Sequence, residues 1–230
     1  MIEAKKTIFH QNTMVKKSFP DILMKNIKDF NNKCEKFGVP IHSIRKLENY
    51  VEKFEGKIFL IGGNVRDLIL EQNTDSNPDL VVNLKFNVLL DCLKKSKLKF
   101  SNIGADYGSV VVYYENCKFD ITSMRTDIET DGRWAKINFT NDLEIDSKRR
   151  DFTFNSIYCN TDGNLTDPNE GIKDLINRKV RFIGKISDRI NEDHLRILRL
   201  FRLSLQIAQF CEDKILHVCD DDLKKLSRLS

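Results

Sequence analysis

Apolar residues along the chain change from helical spacing to strand spacing and back. From Ile44 to Phe54 they recur every three or four residues, which predicts a helix. Lys57 to Ile61 is apolar almost throughout, as in a buried strand, and Gly62-Gly63 follows it directly. The next segment places Val65, Leu68 and Ile69 on one helical face. The pattern therefore predicts a strand, a glycine turn and a helix in succession.

The remaining pattern predicts a mixed α/β sheet in the N-terminal half and helices in the C-terminal fifth. A short helix is expected within Asp21 to Phe37, and a possible hinge lies at Gly184 to Asp188. The further predicted strands are Asp79 to Leu84, Tyr107 to Tyr114 and Lys118 to Met124. The further predicted helices are Phe86 to Lys99, Thr153 to Tyr158, Glu192 to Ala208 and Glu212 to Leu229.

Composition narrows the class of protein. The 230 residues include 38 lysines and arginines against 34 acidic residues, a net charge of +4 that is compatible with a polyanionic partner. No apolar run approaches the roughly 20 residues that span a bilayer, and no secretory signal is visible, so no membrane association is expected. The six cysteines show no metal-ligand spacing. We expect free thiols in the cytoplasm, with neither disulfides nor structural zinc.

A glycine pair between a strand and a helix leaves the first N–H groups of the helix uncovered. With the positive end of the helix dipole, these groups form a site for phosphate oxygens. Gly62 and Gly63 occupy this turn, and Arg66 lies one turn inside the helix, where its charge would add to the site. The alternative is a tight connector with a salt-bridged arginine.

Three oxygen-bearing side chains form a candidate metal site. Asn77 and Asp79 share one face of a predicted strand, and Asp120 lies on the polar face of a later strand. Carboxylates at positions i and i+2 of a strand edge are suited to hold Mg²⁺ for phosphoryl or nucleotidyl transfer. For Asp120, a solvent-facing edge aspartate is the alternative.

Arginines are grouped at two further places. Arg149 and Arg150 precede Asp151, and neighbouring arginines without a partner are explained by a triphosphate, or else by surface solvation. The helix opened by Glu192-Asp193 carries Arg196, Arg199 and Arg202 at three-residue steps. The opposite side of that helix is apolar, with Leu195, Leu198, Phe201 and Leu205. An incoming anion would explain the arginine stripe, and a solvated helical face is the alternative.

Taken together, the motifs resemble the bacterial class II tRNA nucleotidyltransferase (CCA-adding) and poly(A) polymerase family. The resemblance extends from about Ile58 to the C-terminal helices. It rests on six ordered motifs, Ile61-Gly62-Gly63-Asn64-Val65-Arg66-Asp67, Asn77-Pro78-Asp79-Leu80, Phe119-Asp120-Ile121-Thr122, Thr130-Asp131-Gly132-Arg133, Arg149-Arg150-Asp151-Phe152-Thr153-Phe154-Asn155 and Glu192-Asp193-His194-Leu195-Arg196.

This resemblance implies a polymerase-beta-like nucleotidyltransferase head with a mixed sheet, followed by an all-helical neck. The head is expected at residues 43–185 and the neck at 186–230, with residues 1–42 as an unassigned N-terminal extension. The resemblance also implies roles for matching residues. Gly62, Gly63, Arg66 and Arg150 would contact the nucleotide, Asp151 the ribose, and Asp193 and Arg196 the base, with Arg199 and Arg202 beside them.

The implied activity is template-independent addition of C and A to tRNA 3′ ends from CTP, ATP and Mg²⁺. Cytosine and adenine both place an amino donor beside a ring-nitrogen acceptor, which a carboxylate and a guanidinium satisfy together. Poly(A) synthesis on another RNA 3′ end is the nearest alternative. A catalytically impaired, nucleotide-binding homologue is an alternative of a different class.

Two departures from the family motivate that last alternative. The family has Asp where this chain has Asn77, and Asp75 would substitute only through a bulge. In the resemblance, the helical body and tail domains by which the family grips tRNA are expected to be missing from these 230 residues. We therefore expect either a partner chain that supplies the body or a shortened relative with weak RNA affinity.

Overall fold

The structure is a computed structural model that describes residues 25–74, 76–131 and 134–207, with only the backbone described for residues 128–131 and 134–136. The helices are α1 (Phe30–Phe37), α2 (Ile41–Glu52), α3 (Gly63–Leu70), α4 (Phe86–Lys95), α5 (Leu143–Lys148), α6 (Gly171–Ile176), α7 (Ile186–Glu192) and α8 (Leu195–Ile207). The strands are β1 (Ile58–Leu60), β2 (Asp79–Val82), β3 (Lys99–Ser101), β4 (Ser109–Tyr114), β5 (Cys117–Ser123), β6 (Arg125–Asp131), β7 (Trp134–Phe139), β8 (Tyr158–Cys159) and β9 (Leu165–Thr166).

The central element is a seven-stranded mixed sheet in the order β3-β4-β5-β2-β1-β8-β9, and β6 and β7 form a separate hairpin. Strand β2 runs parallel to β5 and antiparallel to β1. The end of β1 therefore lies beside the beginning of β2, which in turn lies beside the middle of β5. This topology confirms the predicted mixed α/β class and brings the glycine turn and two aspartates to one edge of the sheet.

The hydrophobic core lies between this sheet and the helices around it. Helix α2 buries Ile44, Leu47 and Val51, as its helical spacing predicts. Helix α1 contributes Phe30 and Phe37 to the same core. Part of the segment predicted as an N-terminal extension is therefore integral to the core, because burying two phenylalanines stabilises the fold by roughly 1.5–3 kcal/mol each.

Several element boundaries differ from the prediction. The segment predicted as one helix to Lys99 divides into α4 and β3, because Lys97 adopts a left-handed φ of 54°. Helix α1 begins at Phe30, after the non-helical residues 25–29. The hairpin of β6 and β7 was not predicted, because β6 is too polar to show apolar alternation, although Ala135, Ile137 and Phe139 of β7 do alternate with polar residues.

The C-terminal helices also differ from the prediction. The helix expected from Glu192 begins later, as α8 at Leu195, because a separate helix, α7, ends at Glu192. The helix expected from Glu212 lies outside the described residues. Within α8 the buried side is Ile197, Leu200, Leu203 and Ile207. The apolar side opposite the arginines is exposed instead, at Leu195, Leu198, Phe201 and Leu205.

Two whole-chain expectations concern cysteines and membrane spans. Cys34, Cys92, Cys117 and Cys159 are free thiols, and Cys211 and Cys219 lie outside the described residues. Among the residues that the structure describes, no helix is both long and apolar enough to cross a bilayer.

Candidate active site

A polar cleft of about 770 Å³ opens between the sheet edge and helix α8. Seven arginines and five aspartates line it, which gives its wall an excess of positive charge. We call this space the arginine cleft. Its arginines are Arg66, Arg125, Arg149, Arg150, Arg196, Arg199 and Arg202. Because arginine donates paired N–H groups to phosphate and carboxylate, such a wall favours a polyanionic ligand.

The glycine turn forms one end of the arginine cleft. Gly62 has φ 71° and ψ −135°, a conformation that favours glycine, and a Cβ there would lie 3.3 Å from Asp79 Oδ2. Helix α3 begins at Gly63, and both glycines of the turn line the cleft. The Arg66 guanidinium lies over Gly63 and pairs with Asp67 at 2.8 Å. The salt bridge of the alternative interpretation is thus present, and the anion site stays a prediction.

Asp79 and Asp120 are direct neighbours across β2 and β5. Two backbone bonds fix their positions, from Ile61 N–H to the Asp79 carbonyl and from Asp120 N–H to the Pro78 carbonyl, both 3.1 Å. The side chain of Asn64 accepts the Asp79 N–H at 3.1 Å. Enclosure by the cleft and the negative charge of Asp120 raise the pKa of Asp79 to about 6.

A divalent cation fits this pair of carboxylates, because a positive charge between them would relieve the repulsion that raises the Asp79 pKa. Asn77 precedes β2, is exposed and does not line the arginine cleft. Asp75 lies outside the described residues. Within the described ranges no three His, Cys, Asp or Glu side chains cluster in a way that would hold a metal. The structure therefore brings together two of the three predicted ligands.

The two neighbouring arginines are not unpaired, contrary to the sequence argument that a triphosphate is needed to explain them. Both are held by Asp146, a fully buried residue of α5. Arg149 approaches Asp146 Oδ1 at 2.8 Å and Arg150 approaches Oδ2 at 2.9 Å. Although burial alone would raise it, the two guanidinium groups hold the pKa of Asp146 at about 2. A spacing of four residues between Asp146 and Arg150 is the sequence signal for this pair.

Asp151 connects the head to α8. Its Oδ1 accepts the Phe152 N–H at 2.8 Å and the Asn155 amide at 3.2 Å. Its Oδ2 forms an ion pair of 2.7 Å with Arg199 of α8. Asn155 also approaches Arg66 at 3.5 Å, so it links the turn with the second arginine motif. Sequence reasoning placed Asp151 at the site but gave no role to Asn155.

Helix α8 and Asp193, two residues before it, supply the opposite wall. Asp193 Oδ1 accepts the Leu195 N–H at 2.9 Å and so caps α8. Arg196 pairs with Glu192 and donates to the Arg189 carbonyl at 2.9 Å. Asp193, Arg196, Arg199 and Arg202 all line the arginine cleft, as the stripe of positions predicts. Arg125 and Asp127 of β6 also line it, and sequence reasoning missed both because that hairpin was not predicted.

Comparisons with known proteins agree with this geometry. The family model of the poly(A) polymerase head domain matches residues 58–181. The chain is 36% identical to the Danio rerio protein "CCA tRNA nucleotidyltransferase 1, mitochondrial" over 163 residues, which are 70% of this chain and 38% of that protein. It is 32% identical over 174 residues to the CCA-adding enzyme of Lactobacillus delbrueckii subsp. bulgaricus, covering 75% of this chain and 43% of that protein.

A solved structure shows the same similarity in three dimensions. The crystal structure of the Bacillus stearothermophilus CCA-adding enzyme in complex with CTP matches with a TM-score of 0.64 and 27% identity. The match covers 74% of this chain and 40% of that one. The chain thus spans about two fifths of the length of the curated relatives it matches.

Proposed function

This chain belongs to the family of the poly(A) polymerase head domain, and on that premise we propose that it is the head and neck of an RNA nucleotidyltransferase that adds C and A to tRNA 3′ ends from CTP and ATP. One observation carries the proposal. Asp79, which neighbours Asp120 across β2 and β5, lines a single cleft together with the Gly62 turn and the arginines of α8. This is what a nucleoside triphosphate needs, namely carboxylates for its metal and donors for its phosphates.

The phosphates are assigned to the head side of the arginine cleft. The N-terminal N–H groups of α3 and the Arg66 guanidinium lie at one end of it, and Arg150 lies in the wall beside them. Asp151 is assigned to the ribose, because a carboxylate accepts hydrogen bonds from sugar hydroxyls. Its ion pair with Arg199 must loosen when a ribose arrives, which frees Arg199 for the nucleotide.

The base is assigned to Asp193 and Arg196. Asp193 uses Oδ1 to cap α8, which leaves Oδ2 to accept the amino group of cytosine or adenine. Arg196 is anchored through Nη1, which leaves its remaining N–H groups for the ring nitrogen. Uracil and guanine present a carbonyl in place of the amino group, and the Asp193 carboxylate would repel it. This pair would therefore select CTP and ATP without a nucleic-acid template.

Asp79 and Asp120 are the residues that would hold Mg²⁺. When bound, the metal would supply charge stabilisation for attack of the RNA 3′-hydroxyl on the α-phosphorus and for departure of pyrophosphate. Asn77 is proposed as the third ligand because it stands two residues before Asp79, where the family has a carboxylate. Its amide oxygen would take the place of that carboxylate. The chain's own contribution is to hold the two aspartates side by side and the triphosphate against the arginines.

The proposed partners are CTP, ATP and the 3′ end of tRNA, and the proposed compartment is the cytoplasm. We keep residues 43–185 as the head and 186–230 as the neck. The matched span, residues 58–181, covers the head domain of the family. Poly(A) synthesis stays the second candidate, because the matching family model is that of a poly(A) polymerase head. An impaired nucleotide-binding homologue stays the third, because Asn77 lies outside the cleft.

Incorporation of labelled CTP and ATP into tRNA lacking its CCA end tests these candidates. The unmodified chain, Asn77→Asp and Asp79→Ala are compared with and without Mg²⁺, with Asp106→Ala, an exposed aspartate outside the cleft, as control. Addition that stops after CCA supports the proposal, and a lengthening A tail supports poly(A) synthesis. Incorporation by Asn77→Asp alone identifies an impaired relative. Incorporation that survives Asp79→Ala contradicts the site assignment.

A further inference from the structure

Asp146 lies behind the wall of the arginine cleft and is completely buried, although it is a charged residue. Every described contact of its carboxylate is polar. Oδ1 accepts the Arg125 backbone N–H at 3.0 Å and the Arg149 Nε–H at 2.9 Å. Oδ2 accepts the Tyr158 hydroxyl at 2.7 Å and the Arg150 Nη2–H at 2.9 Å. The Asp146 side chain thus contacts the beginning of β6, the arginines that follow α5, and strand β8.

Both arginines contact Asp146 through the same edge of the guanidinium group, the edge formed by Nε and Nη2. Arg149 uses Nε and Nη2 on Oδ1, and Arg150 uses Nε and Nη2 on Oδ2. The Nη1 group of each guanidinium is thereby turned away from the carboxylate. Arg150 also lies over the Tyr158 ring, with its central carbon 5.5 Å from the ring centroid. The orientation of each guanidinium plane is therefore determined before any ligand binds.

Both arginines line the arginine cleft, and Asp146 does not. Only about one seventh of each arginine side chain is exposed, 14% for Arg149 and 15% for Arg150. Without the carboxylate between them, the two like charges would repel each other, and each long side chain would regain rotamer freedom that a ligand must then remove. Pre-organised donors bind a polyanion more tightly because that ordering cost has already been met.

We propose that Asp146 is a positioning residue that orients Arg149 and Arg150 so that both present their Nη1 groups to the triphosphate of the bound nucleotide. This inference rests on the proposed function, in which the arginine cleft receives a nucleoside triphosphate. It adds Arg149 to the phosphate-binding groups, and it assigns a functional role to a residue that touches no ligand. The lowered pKa of Asp146, about 2, keeps the carboxylate ionised throughout the physiological range.

The direction in which the affinity for ATP changes in Asp146→Asn distinguishes a positioning role from simple electrostatics. Asp146→Asn removes a negative charge that lies in contact with two cleft arginines. If charge alone governs binding, the more positive cleft of the variant binds ATP more tightly. If orientation governs binding, the amide offers one acceptor oxygen in place of two and carries no charge, so the guanidinium planes are held less firmly and ATP binds more weakly. A residue that only stabilises the fold would lower the melting temperature without weakening binding in the folded state.

The test measures the affinities of ATP and of inorganic tripolyphosphate by calorimetry, in the full chain and at a temperature where every variant is folded. The matched control is Asp174→Asn, because Asp174 is also a buried carboxylate paired with an arginine, Arg181, at 2.8 Å, and neither residue lines the cleft. We expect Asp146→Asn to bind both ligands at least tenfold more weakly. We expect Asp174→Asn to bind within about twofold of the unmodified chain while losing comparable thermal stability.

A second measurement keeps the inference separate from the proposed function. Proton exchange of the Arg149 and Arg150 Nε–H groups, followed by NMR without any ligand, should become fast in Asp146→Asn and stay slow in Asp174→Asn. If the unmodified chain binds neither ATP nor tripolyphosphate, the proposed function fails, and the exchange rates still decide whether Asp146 holds the arginines. Unchanged exchange, or binding of ATP by Asp146→Asn that is unchanged or tighter, overturns the positioning role.

Discussion

Replacing Asp79 by Asn should stabilise the protein in the absence of ligands while removing its activity. In the folded chain, enclosure and the charge of Asp120 raise the Asp79 pKa from 3.8 to about 6. Folding therefore favours the protonated form of Asp79. The resulting stability is fully present below about pH 4 and is lost as the pH rises through about 6. Above that pH, the ionised carboxylate is a net penalty that asparagine would not carry.

The cost of the ionised Asp79 carboxylate in free energy of unfolding follows from the rise in its pKa. Each pKa unit corresponds to about 1.4 kcal/mol, so a shift of about two units is equivalent to about 3 kcal/mol in a site closed to water. Asp79 is open to the cleft, and solvent screening reduces the effect to about 1 kcal/mol. Asp79→Asn should therefore raise the free energy of unfolding by about 1 kcal/mol at pH 7.5 and leave it nearly unchanged at pH 4.

Urea denaturation without divalent cations at the two pH values measures the difference. Asp127→Asn is the control, because Asp127 lines the same cleft but is ion-paired with Arg125, so its loss should not stabilise the fold. Addition of Mg²⁺ should stabilise the unmodified chain more than Asp79→Asn. The reasoning is refuted if Asp79→Asn is equally or less stable than the unmodified chain at pH 7.5, or if its gain is as large at pH 4.

Three further outcomes are expected. The stability of Asp146→Asn should depend less steeply on acid pH than that of the unmodified chain. In the unmodified chain the lowered Asp146 pKa contributes about 2 kcal/mol, which is lost as the pH falls from about 4 to 2. Circular dichroism against pH measures the difference. Gly62→Ala should cost roughly 1–3 kcal/mol and displace the Asp79 carboxylate, whereas Gly38→Ala, at φ 82° with only ordinary van der Waals contacts to Thr74, should cost about 1 kcal/mol in the same urea assay. Arg199→Ala should raise the Kd for CTP and ATP alike by about tenfold, measured by calorimetry, because it removes a cleft cation without touching the base-reading pair.

The strand, glycine turn and following helix could be predicted from the sequence because each depends on neighbouring residues. Asp79 and Asp120 could be placed on polar faces of strands, and only the parallel pairing of β2 with β5 makes them neighbours. The arginine stripe of α8 was visible from its spacing alone. Its buried side was not, because two apolar stripes compete on that helix and only the tertiary packing decides between them.

The anchoring of the arginines could not be predicted in full. A pairing of Asp146 with Arg150 is readable from their spacing, but the contacts with Tyr158 and with the Arg125 backbone require the sheet to be assembled. The ion pair between Asp151 and Arg199 joins residues that are distant in the sequence and meet only across the cleft. Polar strands such as β6 carry no apolar period, so the cleft residues Arg125 and Asp127 had no local signal.

Nucleotide discrimination tests the central claim most directly. Binding of CTP, ATP, UTP and GTP to the unmodified chain is measured by calorimetry with Mg²⁺, beside Asp193→Ala and the control Asp188→Ala, an exposed aspartate of α7. The account predicts that CTP and ATP bind at least tenfold more tightly than UTP and GTP, and that Asp193→Ala removes this preference while Asp188→Ala keeps it. Equal binding of UTP and CTP by the unmodified chain would contradict it.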